Sequence, residues 1–156
     1  MAQETDGETG LAEQLSVVKM DGAGVAARLR SAGIPLTLQR LAVGQVMLGG
    51  PVHLTADQVL ARVKRLIPEI SRATIYNTLK LFSEKGLVRE LIIDADRTVF
   101  DSNTEPHPHI YNAGTGELTD IAAGDLKVVG TAKLPDGVEL EAVDIIVRVR
   151  SKPPGV

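Results

Sequence analysis

At Gly86 the hydrophobic rhythm of this chain changes from a helical period to a strand period, and the segments on either side leave few folds open. Before it, four stretches carry apolar residues at helical spacing, each bounded by capping signals. The first begins near Val25 and stops at Gly33. Thr37 caps a second, over residues 38–48, which Gly49 and Gly50 end. Thr55 with Gln58 has capping-box form, so a third helix is expected from about Ala56 to Leu66, stopping before Pro68. Ser71 caps a fourth, which Gly86 terminates. Residues 87–93 and 97–101 then flank Asp94-Ala95-Asp96 and read as a β-hairpin. Capped helices followed at once by a hairpin describe a winged helix-turn-helix.

Beyond that hairpin, residues 109–113 and 116–121 form a second one through Gly114-Thr115-Gly116. A short helical piece is expected near 123–132, then a final strand within 138–150. The expected organisation is an N-terminal extension at 1–21, a winged-helix domain at 22–103 and a small α/β dimerisation domain at 104–156. The hinge falls at about 101–109, and the fold class is α+β. Within the extension, residues 11–20 have the spacing of one amphipathic helical stretch, and residues 1–10 read as disordered.

Charge follows the same division. Residues 22–90 hold ten basic against four acidic side chains, although the whole chain carries −3. A basic block between acidic segments is the footprint of a phosphate-binding module, with an ordinary solvated surface as the bland alternative. On the fourth helix Ile75, Leu79 and Phe82 share one stripe and should face the core. The opposite face carries Ala73, Tyr76, Asn77 and Lys80, with Arg72 in the first turn. Such a face fits a major groove, Lys80 meeting phosphate while Tyr76 and Asn77 touch thymine methyls or base edges. Arg40, on an earlier helix, suits backbone or minor-groove contact, and Arg89 in the wing suits phosphate. The plainer readings are a partly buried Tyr76 and solvated Lys80 and Arg89.

The chain has no cysteine and three histidines. Disulfides, thiolate nucleophiles and thiolate-bound metals are therefore excluded. His107 and His109 sit two apart around Pro108, so in an extended segment both imidazoles leave the same face. Asp101 closes the strand just upstream, and Asp120 lies on the next. Three nitrogens from His53, His107 and His109 with two carboxylates would suit Mn²⁺, Fe²⁺ or a related divalent ion. Individually, His53 reads as structural, Asp101 as a cap of the wing and Asp120 as a surface carboxylate. The acidic N-terminus shows no signal peptide and no apolar run reaches the length of a membrane span, so a cytoplasmic protein is expected.

Three groups of residues resemble the DNA-binding domain of the ferric uptake regulator (Fur) family: 33–40, 53–57 and 73–79. The similarity continues through Val99-Phe100-Asp101, His107-Pro108-His109 and residues 117–121, and covers about 22–150. It implies a metal-dependent dimeric transcription regulator with an N-terminal winged helix and a C-terminal dimerisation domain. It also implies a regulatory metal site at His53, Asp101, His107, His109 and Asp120, with His53 at the start of the third helix. Fe²⁺ or Mn²⁺ is favoured, with Zn²⁺ as an in vitro occupant. The partner implied is an A·T-rich inverted repeat of duplex DNA. Aspartate at 101 and 120 is similar to the peroxide-sensing members, whose bound Fe²⁺ promotes oxidation of a ligand histidine. The chain's ending looks more like the iron response regulator branch. It departs from the family in lacking the paired CxxC motifs of a structural zinc, and from that branch in lacking its Cys-Pro haem motif. The smaller domain is then left to core packing and dimer burial. Two other classes stay open on the residues alone: a small metal-dependent hydrolytic enzyme, and a winged helix used only for protein interaction.

Overall fold

In the computed structural model the described residues are 24–122, 124–130 and 132–155, and they divide into two compact units, one ending at Thr104 and one beginning at Glu105. The amphipathic stretch expected at 11–20 lies outside the described residues.

The first unit begins with helix α1 over residues 24–31, followed by α2 (Leu38–Leu48), α3 (Ala56–Val63) and α4 (Arg72–Glu84). The starts of α2, α3 and α4 each have the cap that the residue type allows. Thr37 Oγ1 accepts from the Arg40 N–H at 3.2 Å, and Ser71 Oγ accepts from the Thr74 N–H at 3.1 Å. At α3 the box is reciprocal: Thr55 Oγ1 accepts from the Gln58 N–H while Gln58 Oε1 accepts from the Thr55 N–H. Such caps contribute about 1 kcal/mol each. Helices α1 and α4 end alike, on glycines with φ of 73° and 72° at Gly33 and Gly86. The next amide reaches back five residues in both cases, Ile34 N–H to Leu29 O and Leu87 N–H to Phe82 O, each at 2.9 Å. Helix α3 stops at Val63, three residues before the expected Leu66. There Arg65 and Leu66 donate to carbonyls three residues back, so the last turn tightens before Pro68.

The hairpin after Gly86 is β2 (Arg89–Asp94) with β3 (Arg97–Asp101), antiparallel and irregular between Ile92 and Asp94. A third strand joins it that the sequence did not announce. This is β1 (His53–Leu54), which pairs with β3 to give the order β1-β3-β2. His53 therefore belongs to a strand, two residues before the Thr55 cap, and not to the start of α3. Amide and carbonyl of Val52 fix this pairing by bonding Ser102 Oγ at 2.9 Å and the Ser102 N–H at 3.1 Å.

The helices and this sheet enclose one aliphatic core. Ile75, Leu79 and Phe82 of α4 are fully buried in it with Val43 and Met47 of α2 and Val59 and Val63 of α3. Burying one such side chain stabilises by about 1.5–3 kcal/mol. The chain has only two phenylalanines, and both, Phe82 and Phe100, are in this core. The buried Thr78 hydroxyl donates to Thr74 O at 2.7 Å, so the polar group on the apolar face is satisfied.

The second unit is a three-stranded sheet, β4 (His109–Asn112), β5 (Leu118–Asp120) and β6 (Ile146–Val149), in the order β5-β4-β6. Strands β4 and β5 pair antiparallel through the expected turn, and β6 lies parallel to β4. The helical piece expected near 123–132 is not formed among its described residues. They hold a turn at 124–125 and a bridge at Leu126, bounded by Gly124 and Gly130 with φ of 96° and 119°. Positive φ at two glycines six residues apart is incompatible with one helix.

Gly44 marks a close helix contact. A Cβ there would lie 2.5 Å from Val25 Cγ1. Gly44→Ala is expected to destabilise the first unit by about 1 kcal/mol, overpacking outweighing the gain in helix propensity. In a double-mutant cycle followed by urea unfolding, Val25→Ala should reduce that cost; strict additivity would show that the two positions are not in contact.

Candidate functional site

Two constellations emerge: histidine–aspartate groups set by strand pairing within each unit separately, and the exposed face of one helix. In the first unit His53 and Asp101 stand directly opposite each other in the β1–β3 ladder, so their side chains leave the same face. His53 Nε2 lies 3.2 Å from Asp101 Oδ2. Asp101 is 1% exposed and its other oxygen accepts from the Asn103 N–H at 2.8 Å. A buried carboxylate is tolerated only where it has polar partners, and here a turn amide donates to one oxygen while the His53 ring lies within ion-pair distance of the other.

In the second unit the same device recurs. His109 of β4 stands opposite Asp120 of β5. His107, two residues before His109, projects from the same side, and the two ring centroids are 4.2 Å apart. Both Nε2 atoms converge on one carboxylate oxygen: Asp120 Oδ1 is 3.1 Å from His107 and 3.3 Å from His109. His107 Nδ1 lies 2.6 Å from Glu105 O. A carbonyl can only accept, so Nδ1 carries the hydrogen and Nε2 is the nitrogen turned toward Asp120 Oδ1. A ring nitrogen and a carboxylate oxygen so placed could share one metal cation. The carbonyl behind the ring is also the partner that metal-bound imidazoles ordinarily have. One ligand atom of each of His107, His109 and Asp120 lies within 4.8 Å of the others. The donor set fits a divalent ion that accepts nitrogen and oxygen together. Glu105, which orients His107 through its backbone, had no signal in the sequence, because any residue type offers a carbonyl.

The second constellation is the exposed face of α4. Arg72, Ala73, Tyr76 and Asn77 are exposed there, with Lys80 partly so. Between α2 and α4 runs a groove of about 250 Å³ lined by Thr37, Gln39, Arg40, Thr74 and Asn77 among others. Most of these side chains carry donors or acceptors, the composition a nucleic-acid edge requires. Several of the expected DNA contacts have protein partners. Arg40 Nη1 donates to Pro35 O at 2.7 Å, Arg72 pairs with Asp57 in the first turn of α3, and Lys80 pairs with Glu90 of β2. The Glu90 carboxylate, through its hydrogen bond, holds the Lys80 ammonium above the usual lysine value. Arg89, the first residue of β2, is half-buried. Gln39, Thr74 and Glu90 were not foreseen; their placement depends on how α2, α4 and β2 meet.

Residues 31–148 match the model of the ferric uptake regulator family. Among curated proteins, the chain is 39% identical over 95 residues to the peroxide-responsive repressor PerR of Staphylococcus aureus, covering 61% of this chain and 64% of that protein. PerR of Staphylococcus epidermidis is 38% identical over 95 residues, with 61% and 63% covered. The chain thus spans less than two thirds of the length of these curated relatives. Among solved structures, the ferric uptake regulator of Pseudomonas aeruginosa with manganese aligns with a TM-score of 0.59 at 23% identity, over 82% of this chain and 98% of that one. The Campylobacter jejuni peroxide stress regulator aligns with 0.55 at 24% identity, over 83% and 94%. At such identities these structures establish a shared fold.

Asp101→Ala would leave the Asn103 amide without its acceptor and is expected to cost about 1–3 kcal/mol in denaturant unfolding. Asp101→Asn keeps an acceptor of the same shape and should cost less. Equal losses would assign the role of Asp101 to charge alone.

Proposed function

The chain belongs to the ferric uptake regulator family, and on that premise we propose that it is a metal-responsive, sequence-specific DNA-binding transcription regulator of iron, haem or peroxide-stress genes. The observation that carries the metal part is the convergence of His107 and His109 on one oxygen of Asp120, with His107 oriented by the Glu105 carbonyl. The proposed ligand set joins His53 and Asp101 to these three. Its nitrogen and oxygen donors favour Fe²⁺ or Mn²⁺, with Zn²⁺ as an ion it would accept in vitro. When bound, the ion would supply positive charge that offsets the carboxylates of its ligand set. Asp101 and Asp120 then give the site its charge selectivity, and the strand pairings hold the His53 and His109 imidazoles in place. Ligand binding becomes free energy for one arrangement of the chain on either side of the hinge.

The DNA part is supported by the basic stretch at residues 22–90 and by the α4 face with Tyr76 and Asn77 exposed. Arg40, Arg72, Lys80 and Arg89 are the proposed phosphate or groove contacts, reached by exchange of their present partners. A homodimer is supported by the second unit's poverty of core. Val128, Val129, Val138, Leu140 and Val143 are all more than half exposed, whereas Tyr111 is the one hydrophobic residue buried there among those described. Aliphatic surface of that kind asks for a second copy. A two-fold dimer would present two α4 helices to half-sites about one helical turn apart, in an A·T-rich inverted repeat.

Two experiments test this. Asp120 is 47% exposed, so Asp120→Asn should leave metal-free stability nearly unchanged. Wild type with Mn²⁺ at a hundredfold excess over its dissociation constant should gain about 2.7 kcal/mol, most of it lost in Asp120→Asn; an equal gain would remove Asp120 from the ligand set. In a titration with an A·T-rich inverted-repeat duplex, chelated and then with Mn²⁺ or Fe²⁺, metal is expected to change wild-type affinity and to have no effect on His107→Ala. Equal binding in every condition would leave a DNA-binding winged helix without a sensor.

A further inference from the structure

Lys80 and Glu90 are ten residues apart, on opposite sides of the Gly86 turn, yet they meet through two contacts. Lys80 Nζ donates to Glu90 Oε1 at 2.9 Å and to Oε2 at 2.8 Å. The sheet aims Glu90 this way. In the β2–β3 ladder Glu90 stands opposite Phe100, and cross-strand partners share a face. Phe100 packs in the same core as Ile75, Leu79 and Phe82 of α4, so Glu90 sits at the helix-facing rim of the sheet. Lys80 Nζ also lies 5.4 Å from the centre of the Tyr76 ring, one helical turn earlier on the exposed face. The pair is at the surface, with side-chain exposures of 38% for Lys80 and 25% for Glu90. Ion pairs so exposed are weak enough to be exchanged.

We propose that Glu90 is a specificity-determining residue whose carboxylate stands on Lys80 where a DNA phosphate would. This inference rests on the DNA-binding reading given above. A duplex gains the Lys80 phosphate contact only by displacing Glu90, which its own backbone repels. In a loose, sequence-independent encounter, charge contacts are all that a duplex offers, and Lys80 stays with Glu90. Where α4 docks so that Tyr76 and Asn77 meet base edges, those contacts favour the exchange and Lys80 turns to phosphate. Glu90 thereby lowers affinity for arbitrary sequence more than affinity for a matched site. Arg72 and Arg40 also hold partners, but Arg72 meets a carboxylate on a neighbouring helix turn and Arg40 an uncharged carbonyl. Lys80 alone of these three joins the recognition helix to the wing.

The test compares wild type, Glu90→Gln and Lys80→Gln/Glu90→Gln on a short mixed-sequence duplex across a range of salt, with thermal unfolding confirming that each variant is folded. Glu90→Gln is expected to bind this duplex about threefold more tightly and to steepen log K against log salt by about 0.9, the slope of one added phosphate contact. The double variant should lose both changes. An unchanged slope in Glu90→Gln, or a gain that persists without Lys80, would overturn the proposal while leaving the regulator reading in place. Wild type with no salt-dependent affinity for any duplex would overturn that reading, and this inference with it.

Discussion

In each unit a histidine is placed opposite an aspartate by two or three residues of antiparallel strand pairing, and the candidate metal chemistry depends on that register. His53 faces Asp101 in the β1–β3 ladder and His109 faces Asp120 in the β4–β5 ladder. A slip of one residue in either ladder would send the imidazole to the other side of the sheet, because side chains alternate along a strand. Very short strands hold register poorly by themselves. Here it is pinned by neighbours: the Val52–Ser102 pair of bonds closes one ladder, and the Ile121 amide bonds Pro108 O at 2.9 Å beside the other. The donors thus sit on backbone that hydrogen bonds on both sides define.

Stability is distributed unevenly. The first unit has capped helices and an aliphatic core with both phenylalanines, enough to order the sheet that carries His53 and Asp101. The second unit has a three-stranded sheet, few buried apolar side chains and several exposed aliphatics. Lacking cysteine, it has no disulfide or thiolate metal to compensate. On the proposed reading, a second copy and a bound ion would add to its order, which ties its proposed regulatory role to its thermodynamic weakness.

The charged residues of α2 and α4 show that a basic patch in sequence is not a free basic patch in space. Arg72 and Lys80 each meet a carboxylate, and Arg40 meets a carbonyl. Counting lysines and arginines overstates the charge offered to phosphate, since each contact must first be exchanged. The same exchange gives such a surface a means of discriminating among duplexes.

Local chemistry determined what the sequence could say. Thr37, Thr55 and Ser71 as caps, Gly33 and Gly86 as left-handed stops, and the change of period after Gly86 act over a few residues. They were sufficient to define four helices and two hairpins. The pairing of His107 with His109 around Pro108 was legible for the same reason. The remainder required tertiary structure. Strand β1 is two residues long, below any periodic signal, and exists because Val52 finds Ser102 fifty residues away. The segment near 123–132 has helical composition, but Gly124 and Gly130 take conformations closed to a helix. Glu90 gives no hint of Lys80, nor Glu105 of His107, because those contacts are fixed by packing and by a carbonyl that every residue possesses. Sequence determined the elements, whose causes are local; tertiary structure decided which charges meet, because that depends on groups distant along the chain.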